Sequence, residues 1–493
     1  MALAMPPFPL PIPDSLATDV LVLGAGLAGL RAAWAAKQAA PRARVLLVAL
    51  RETPSGSSFA NANNALGMQY CLDERERRAF AAEAVALAAP GRIEPGLADI
   101  LANESAARLG DLEELGLAFA RLPDGALRRH PGCFSASPPR AAVFSGLARA
   151  HALFLAKTTA LGVAFLFNQR VLALVADEAA RPRRVVGALL AEPATGRPLA
   201  VAAGAVVAAL GGPAPLFLFN QAGAANPGVS LALLARAGAT LANVSYLQFM
   251  WAETGSGTFW PVARLAEPGL TVLNDRGLAE PVPEAFGDAC LGELAAARVG
   301  HCPFGHGLPD SRLDLFLAEH IGADHAVGVG LPEGGGVRVA PMAHAGNGGA
   351  AVDESGATSV AGLYAAGECA TLMHGANRLG GAMVAATQVF GARAGTAAAL
   401  AAPAAPGTAA LRAAARELAA GMSFDPAERA AGLARLAEGL QRHLVLGGRP
   451  GLRAFAGKLD TWLTRERDYE LRLAVETALL FARATLSRGR ESA

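Results

Sequence analysis

The stretch Asp19-Val20-Leu21-Val22-Leu23-Gly24-Ala25-Gly26-Leu27-Ala28-Gly29 decides the fold. Asp19 to Leu23 is a short aliphatic, β-branched run of the kind that forms a buried strand, and Leu27 to Ala40 is an alanine-rich helical pattern. Arg44 to Leu50 is a second buried-type strand. Strand, glycine loop, helix and strand together take about 30 residues, the size of a βαβ mononucleotide-binding unit. The glycines serve a physical purpose in it. Without side chains the backbone can approach a pyrophosphate, and the helix N-terminus adds amide donors and the positive end of its dipole. Gly24, Gly26 and Gly29 are therefore candidate cofactor-binding residues; the competing reading is a glycine turn in an ordinary α/β domain.

The rest of the composition bounds what such a unit serves. At 493 residues the chain exceeds one core, so two or three domains are expected. It is 53% hydrophobic and 17% charged, which excludes a disordered chain. A net charge of +1, with acids and bases interspersed, gives no electrostatic reason for nucleic acid or an anionic membrane as partner. Five scattered cysteines (Cys71, Cys133, Cys290, Cys302, Cys369) without a C-x-x-C pair argue against a disulfide framework and an iron–sulfur cluster, and no metal site is expected. Met1 to Asp14 is proline-rich with no basic region before an apolar one, so a signal peptide is not expected and a cytoplasmic setting fits. Between Arg197 and Arg236 no residue is charged, yet Gly211-Gly212-Pro213, Pro215 and Pro227 cut the stretch well short of the roughly 20 apolar residues a transmembrane helix needs. It reads as a buried strand, a glycine loop and a helix.

Working outward, Asp73 to Leu117 has helical spacing, and Val163 to Asp177 and Val185 to Ala191 read as strands of an antiparallel element. Ala205 to Leu210 is a buried strand ending in Gly211-Gly212, followed by a helix at Leu231 to Ala237. From Ser245 to about Gly336 the pattern weakens among Gly, Pro and His, as in an inserted cap. Val360 to Ala366 is again a strand and Gly381 to Leu400 an apolar helix. Ala399 to Ala410 is Ala/Pro low complexity, a linker, and the last eighty residues carry helical periodicity.

The second strand ends in Ala49 and Leu50, where a ribose-binding acid would stand in an NAD site. A second signal lies about 340 residues downstream: the strand through Ala366 ends in Gly367-Glu368, whose carboxylate can accept hydrogen bonds from sugar or ribityl hydroxyls. A cofactor held from both ends of the chain is long, as FAD is.

The run from Gly362 to Gly395, with His374 to Gly380 reading H-G-A-N-R-L-G, resembles the fumarate reductase, succinate dehydrogenase and L-aspartate oxidase flavoprotein family, and most closely its L-aspartate oxidase branch. The resemblance runs from Asp19 through the C-terminal helices. It implies an α/β fold: a Rossmann-like FAD-binding domain split in sequence (1–245 and 341–400), an inserted α+β capping domain (246–340), and a linker with a C-terminal helical domain (401–493). In that branch the second strand also lacks the acid. Gly56-Ser57-Ser58-Phe59 resembles its G-S-T-F segment beside pyrophosphate and flavin, and Ser57 stands where succinate dehydrogenases attach the flavin through histidine, which implies non-covalent FAD. Gly211 and Gly212 join the cofactor set, as do Ala382 and Met383, which replace the family's Asn-Ser.

The same resemblance assigns substrate contacts. Arg378 matches the family's carboxylate-binding arginine, and His344 its histidine before a Gly-Gly pair. An arginine fork suits a carboxylate bidentately, and a histidine can donate to the same anion. Other positions depart from the pattern. Family Q-F-H-P-T reads Gln248-Phe249-Met250-Trp251-Ala252, so a histidine and a threonine are lost. The proton-transferring arginine falls at Glu284, either a replacement acid or base or a surface carboxylate. Asn63-Asn64 and Val229 replace a Gly-Gly pair and an Asp, and the chain ends at Arg490-Glu491-Ser492-Ala493, short of the family's tail arginine and histidine.

The resemblance implies an FAD-dependent oxidoreductase for a small carboxylate substrate, exchanging hydride with flavin N5 and passing electrons to oxygen, a quinone, fumarate or a partner redox subunit. The alternatives are an FAD-holding electron-transfer subunit with little substrate chemistry, suggested by the altered catalytic set, and an NAD-dependent dehydrogenase, which would be colourless.

Overall fold

The computed structural model describes residues 16–491 except 62, 136–137, 224, 275–276, 288, 404–410, 412, 416–422 and 446–447. The proline-rich start, most of the Ala/Pro stretch and the last two residues fall outside the described residues; Ala399–Ala401 still belong to a helix.

The first strand forms over Leu16–Leu23, and its last four residues are wholly buried. An aliphatic run with no polar alternation suits a strand covered on both faces. It pairs in parallel with Val45–Val48 on one side and Pro198–Ala208 on the other. Ala164–Leu166 extends the sheet in parallel beyond Val45–Val48, and Leu363–Ala365 pairs in parallel with Pro198–Ala208. Arg184–Ala191 and Arg170–Asp177 add two antiparallel strands, making seven. The sequence placed Val163 to Asp177 in one antiparallel element. The structure splits it: Ala164–Leu166 is parallel, and only Arg170–Asp177 is antiparallel.

Two helices cover the sheet. Leu27–Ala39 is buried along nearly its whole length, and it packs closely on Ala382–Ala401, because Gly395 lies where a Cβ would come within 2.0 Å of the Ala32 carbonyl oxygen. The uncharged stretch forms the strand Pro198–Ala208, a glycine loop and the helix Ser230–Arg236. Asp73 to Leu117 divides into the helices Glu74–Leu87, capped by the Asp73 side chain, and Pro95–Glu114.

The region of weak pattern contains a five-stranded sheet: Leu247–Glu253, Gly336–Gly346, Val327–Gly330, Thr271–Leu273 and Ala279–Pro281, in that order. It has its own core around Trp251, Trp260, Leu313 and Phe316. Three of these strands have only three or four residues, too few for a two-residue alternation to register. A buried Arg298 ties this unit together, donating to both carboxylate oxygens of Asp314 at 2.8 Å and to Asp310 at 3.1 Å, while Trp251 Nε1–H donates to Asp314 at 3.0 Å. The C-terminal helices Pro426–Leu444, Arg449–Arg465 and Tyr469–Glu491 close the molecule, joined through the buried Arg429–Asp468 pair (2.8 Å) and Arg236–Glu476 (2.6 Å). Among the described residues no helix is long and apolar enough to cross a membrane.

Candidate active site

Three parallel strands end at one edge of the large sheet. Leu23, Ala208 and Ala365 lie in register, and each is followed by a glycine-bearing turn, at Gly24, Gly211 and Gly367. The carboxyl ends of parallel strands at such a point open a crevice. Here it is a cleft of about 380 Å³, lined by Gly24, Gly26, Ser57, Ser58, Gly211, Gly367, Glu368 and Met383, and also by Arg378, His344, Met250 and Phe259.

The three loop glycines are not equivalent. Gly24 has φ +111°, and a Cβ on it would meet the Ala209 carbonyl oxygen at 2.2 Å. A Cβ on Gly29 would meet the Gly24 oxygen at 1.9 Å, so Gly29 packs helix against loop and does not line the cleft. At Gly26 only the Ser58 side chain lies within 4 Å, its Oγ at 3.3 Å. The protein itself leaves that position room. The helix Leu27–Ala39 starts there without a side-chain cap, and Leu27 N–H donates to Ser58 Oγ at 3.3 Å. Gln169 Oε1, Gln221 Oε1, Asn61 Oδ1 and His344 Nδ1 are buried without a hydrogen-bond partner, and all four residues line the cleft. A glycine cradle, an open helix N-terminus and unpaired acceptors fit a pyrophosphate-linked dinucleotide such as FAD.

Glu368 Oε1 accepts a hydrogen bond from Gly346 N–H at 2.7 Å, and burial raises its pKa above the usual carboxylate range. Gly212 does not line the cleft. It makes room for that carboxylate, since a Cβ there would lie 2.6 Å from Glu368 Oε1. Ala382 is buried at the start of the helix Ala382–Ala401 and is likewise outside the lining, unlike its neighbour Met383.

Arg378 is buried on the loop before that helix. Its Nε–H donates to Asn347 Oδ1 at 2.9 Å and its Nη2 to Gln248 Oε1, and no carboxylate pairs with it among the described residues. Burial lowers its pKa to about 10, opposed by the charge of Glu368, so it stays cationic at neutral pH. The strand Gly336–Gly346 brings His344 into the same cleft, with the Phe259 ring edge-on at 6.0 Å between centroids. Burial first, and Arg378 second, push His344 down to about 4, so the imidazole is neutral. Met250 lies opposite Met342 in the neighbouring strand and gives the cleft an apolar contact.

Glu284 is apart from all of this. It sits exposed on the short helix Val282–Phe286 and does not line the cleft. Gln248 and Asn347 hold Arg378, and nothing in their spacing in the sequence marks an amide as an arginine holder.

Comparison with known proteins agrees with this geometry. Residues 19–384 match the family model described as FAD binding domain. The chain is 32% identical over 404 residues to an L-aspartate oxidase of Caulobacter vibrioides, covering 77% of this chain and 76% of that one. It is 31% identical over 502 residues to an L-aspartate oxidase of Halobacterium salinarum, covering 96% and 94%. It is 30% identical over 438 residues to a fumarate reductase flavoprotein subunit of Mycobacterium tuberculosis, covering 77% and 69%. Among solved structures, a quinol fumarate reductase chain of E. coli superposes with TM-score 0.76 at 21% identity, covering 96% of this chain and 90% of that one. The chain belongs to the FAD-binding oxidoreductase family of fumarate reductase flavoproteins and L-aspartate oxidases.

Proposed function

We propose that this enzyme uses non-covalent FAD to oxidise or reduce a small carboxylate-bearing substrate held by Arg378 and His344. The observation that supports it most is the state of Arg378: a buried guanidinium whose partners are two neutral amide oxygens, which leaves its charge for an anion from outside. When bound, FAD supplies hydride exchange at its N5 atom. Arg378 fixes the carboxylate by charge-assisted hydrogen bonds, and its own orientation is set by Asn347 and Gln248. His344, neutral and with an unpaired Nδ1, adds one hydrogen bond without a second charge. Met250 packs against the substrate's carbon chain. Ser57 offers a hydroxyl and no imidazole where covalent attachment would occur, and Glu284 takes no part. Electrons leave to oxygen, a quinone, fumarate or a partner redox subunit, and the setting is cytoplasmic.

L-aspartate and fumarate, named for relatives, are both small carboxylates and the first compounds to try. Titration of the oxidised holoenzyme with aspartate, fumarate, succinate and malonate should perturb the visible flavin spectrum saturably for at least one of them. The apolar Met250 and the outlying Glu284 favour a second reading, an FAD-holding electron-transfer subunit, which predicts no perturbation by any carboxylate. That result would replace the first reading with the second.

A further inference from the structure

Two of the five cysteines meet. Cys133 lies in the loop between the strands Arg129–His130 and Ala141–Ser145, and Cys302 lies beyond the helix Leu291–Arg298, just before Pro303. Phe134 N–H donates to the Gly300 carbonyl at 3.0 Å, and the Phe134 ring stacks on His301 with centroids 4.1 Å apart. The two segments run antiparallel through this contact. One step back from Phe134 and one step on from His301 bring Cys133 to Cys302. On that register Cys133 and Cys302 stand side by side, close enough for each thiol to perturb the other. Both cysteines are partly exposed.

The joint touches both sides of the substrate end of the cleft. Gly380 N–H, two residues beyond Arg378, donates to the Cys133 carbonyl at 2.8 Å. On the other side Pro303 bridges to Met250, and Phe304 N–H donates to the Phe249 carbonyl at 2.9 Å. Arg298 donates to the Cys302 carbonyl at 3.3 Å, and the His301 ring is fixed by the Pro303 carbonyl (2.7 Å) and Asp310 (2.9 Å).

We infer that Cys133 and Cys302 form a reversible intrachain disulfide, which staples the loop beside Arg378 to the segment lying against Met250. The oxidant is a small disulfide such as oxidised glutathione. The Cys133 thiolate attacks one glutathione sulfur, the glutathione S–S bond breaks, and one glutathione leaves as thiol. Cys302 then gives up its proton and attacks the Cys133 sulfur of the mixed disulfide, and the second glutathione leaves as thiol. Two protein thiols are oxidised and one glutathione disulfide is reduced.

The order of attack follows from the surroundings. The hydrogen bond from Cys302 and the nearby His301 acidify Cys133, lowering its pKa to about 6, while Cys302 moves the opposite way. Cys71 and Cys369 are buried with thiols pushed up to about 11 and about 12, so neither competes.

The test uses reduced, desalted holoenzyme incubated with oxidised glutathione, with thiols counted under denaturing conditions and the digest mapped without reductant. The count should fall from five to three, with one cross-linked peptide pair joining Cys133 and Cys302, and return to five with dithiothreitol. Cys133→Ser should give no cross-linked pair, and Cys302→Ser should stop at a glutathione adduct on Cys133. Amide exchange in 131–135 and 299–304 should slow on oxidation. Five surviving thiols, a link between another pair, or unchanged exchange in those segments would each overturn the inference.

Discussion

Arg378 donates its Nε–H to Asn347 Oδ1 across 2.9 Å, and Asn347 is itself held by its Nδ2–H on the Gly375 carbonyl at 2.9 Å. The guanidinium is thus locked in plane by a side chain that neutralises none of its charge. An arginine that merely balanced a buried acid would show that acid as its partner; among the described residues Arg378 has only amide oxygens. Preorganised, desolvated and hydrogen-bonded to no carboxylate, with Glu368 acting on it only through space, it suits an incoming carboxylate.

Arg378→Ala should leave FAD bound and weaken carboxylate binding by about 2–4 kcal/mol, roughly 30- to 1,000-fold. Arg378→Lys should recover little, because a point charge cannot reproduce the planar fork. Spectral titrations of both variants, with the flavin-to-protein absorbance ratio, check this. Unchanged affinity in Arg378→Ala would remove the residue from the substrate site.

Gly26→Val should abolish FAD retention while the protein still folds, since only the Ser58 side chain lies within 4 Å of an added Cβ. Gly29→Ala should behave differently. Its Cβ would strike the Gly24 backbone at 1.9 Å, so the fold itself should lose stability, even without FAD. Flavin content and the thermal midpoint of each apoprotein separate the two outcomes.

Acid should destabilise the protein before its carboxylates titrate. Burial pushes His344 and His306 down to about 4 and His374 well below 6.5. Each folded-state value lies below the unfolded value of 6.5, so between about 4 and 6.5 the unfolded chain binds more protons. The stability these groups contribute is complete above pH 6.5 and is lost as pH falls through that window. The urea midpoint should therefore drop between pH 6.5 and 4.5, and less steeply in His306→Gln. An equal slope in that variant would exclude His306 as a contributor.

Asp314→Ala should be among the most damaging changes in the five-stranded unit. It leaves Arg298 short of its bidentate partner and Trp251 Nε1–H without an acceptor, both in the interior, at a cost of about 3–5 kcal/mol. Chemical denaturation of the variant against the parent measures it.

The nucleotide-binding half was legible in the sequence because its signals are local. Asp19 to Gly29 carries strand, turn and helix start in eleven residues, and Gly367-Glu368 sits directly at a strand end. The five-stranded sheet was not legible, since strands such as Thr271–Leu273 and Ala279–Pro281 are shorter than one readable alternation, and Val272 is buried only by core residues distant in sequence. Family pattern led to Arg378 and His344. It could not show that Gln248 and Asn347 hold the arginine, because that depends on residues 31 and 130 positions away meeting in space. Gly29, Gly212 and Ala382 illustrate the reverse: motif membership placed them with the cofactor, whereas their geometry serves backbone packing, the seat of Glu368 and a helix start.

The proposed reaction is hydride transfer between the flavin and a small carboxylate held at Arg378. Anaerobic mixing of the oxidised holoenzyme with a panel of amino and hydroxy acids and dicarboxylates, L-aspartate and succinate included, tests it most directly. At least one compound should bleach the oxidised flavin band in the parent and fail to do so in Arg378→Ala. A flavin that stays oxidised with every compound, in a protein that retains its full FAD, would contradict the account.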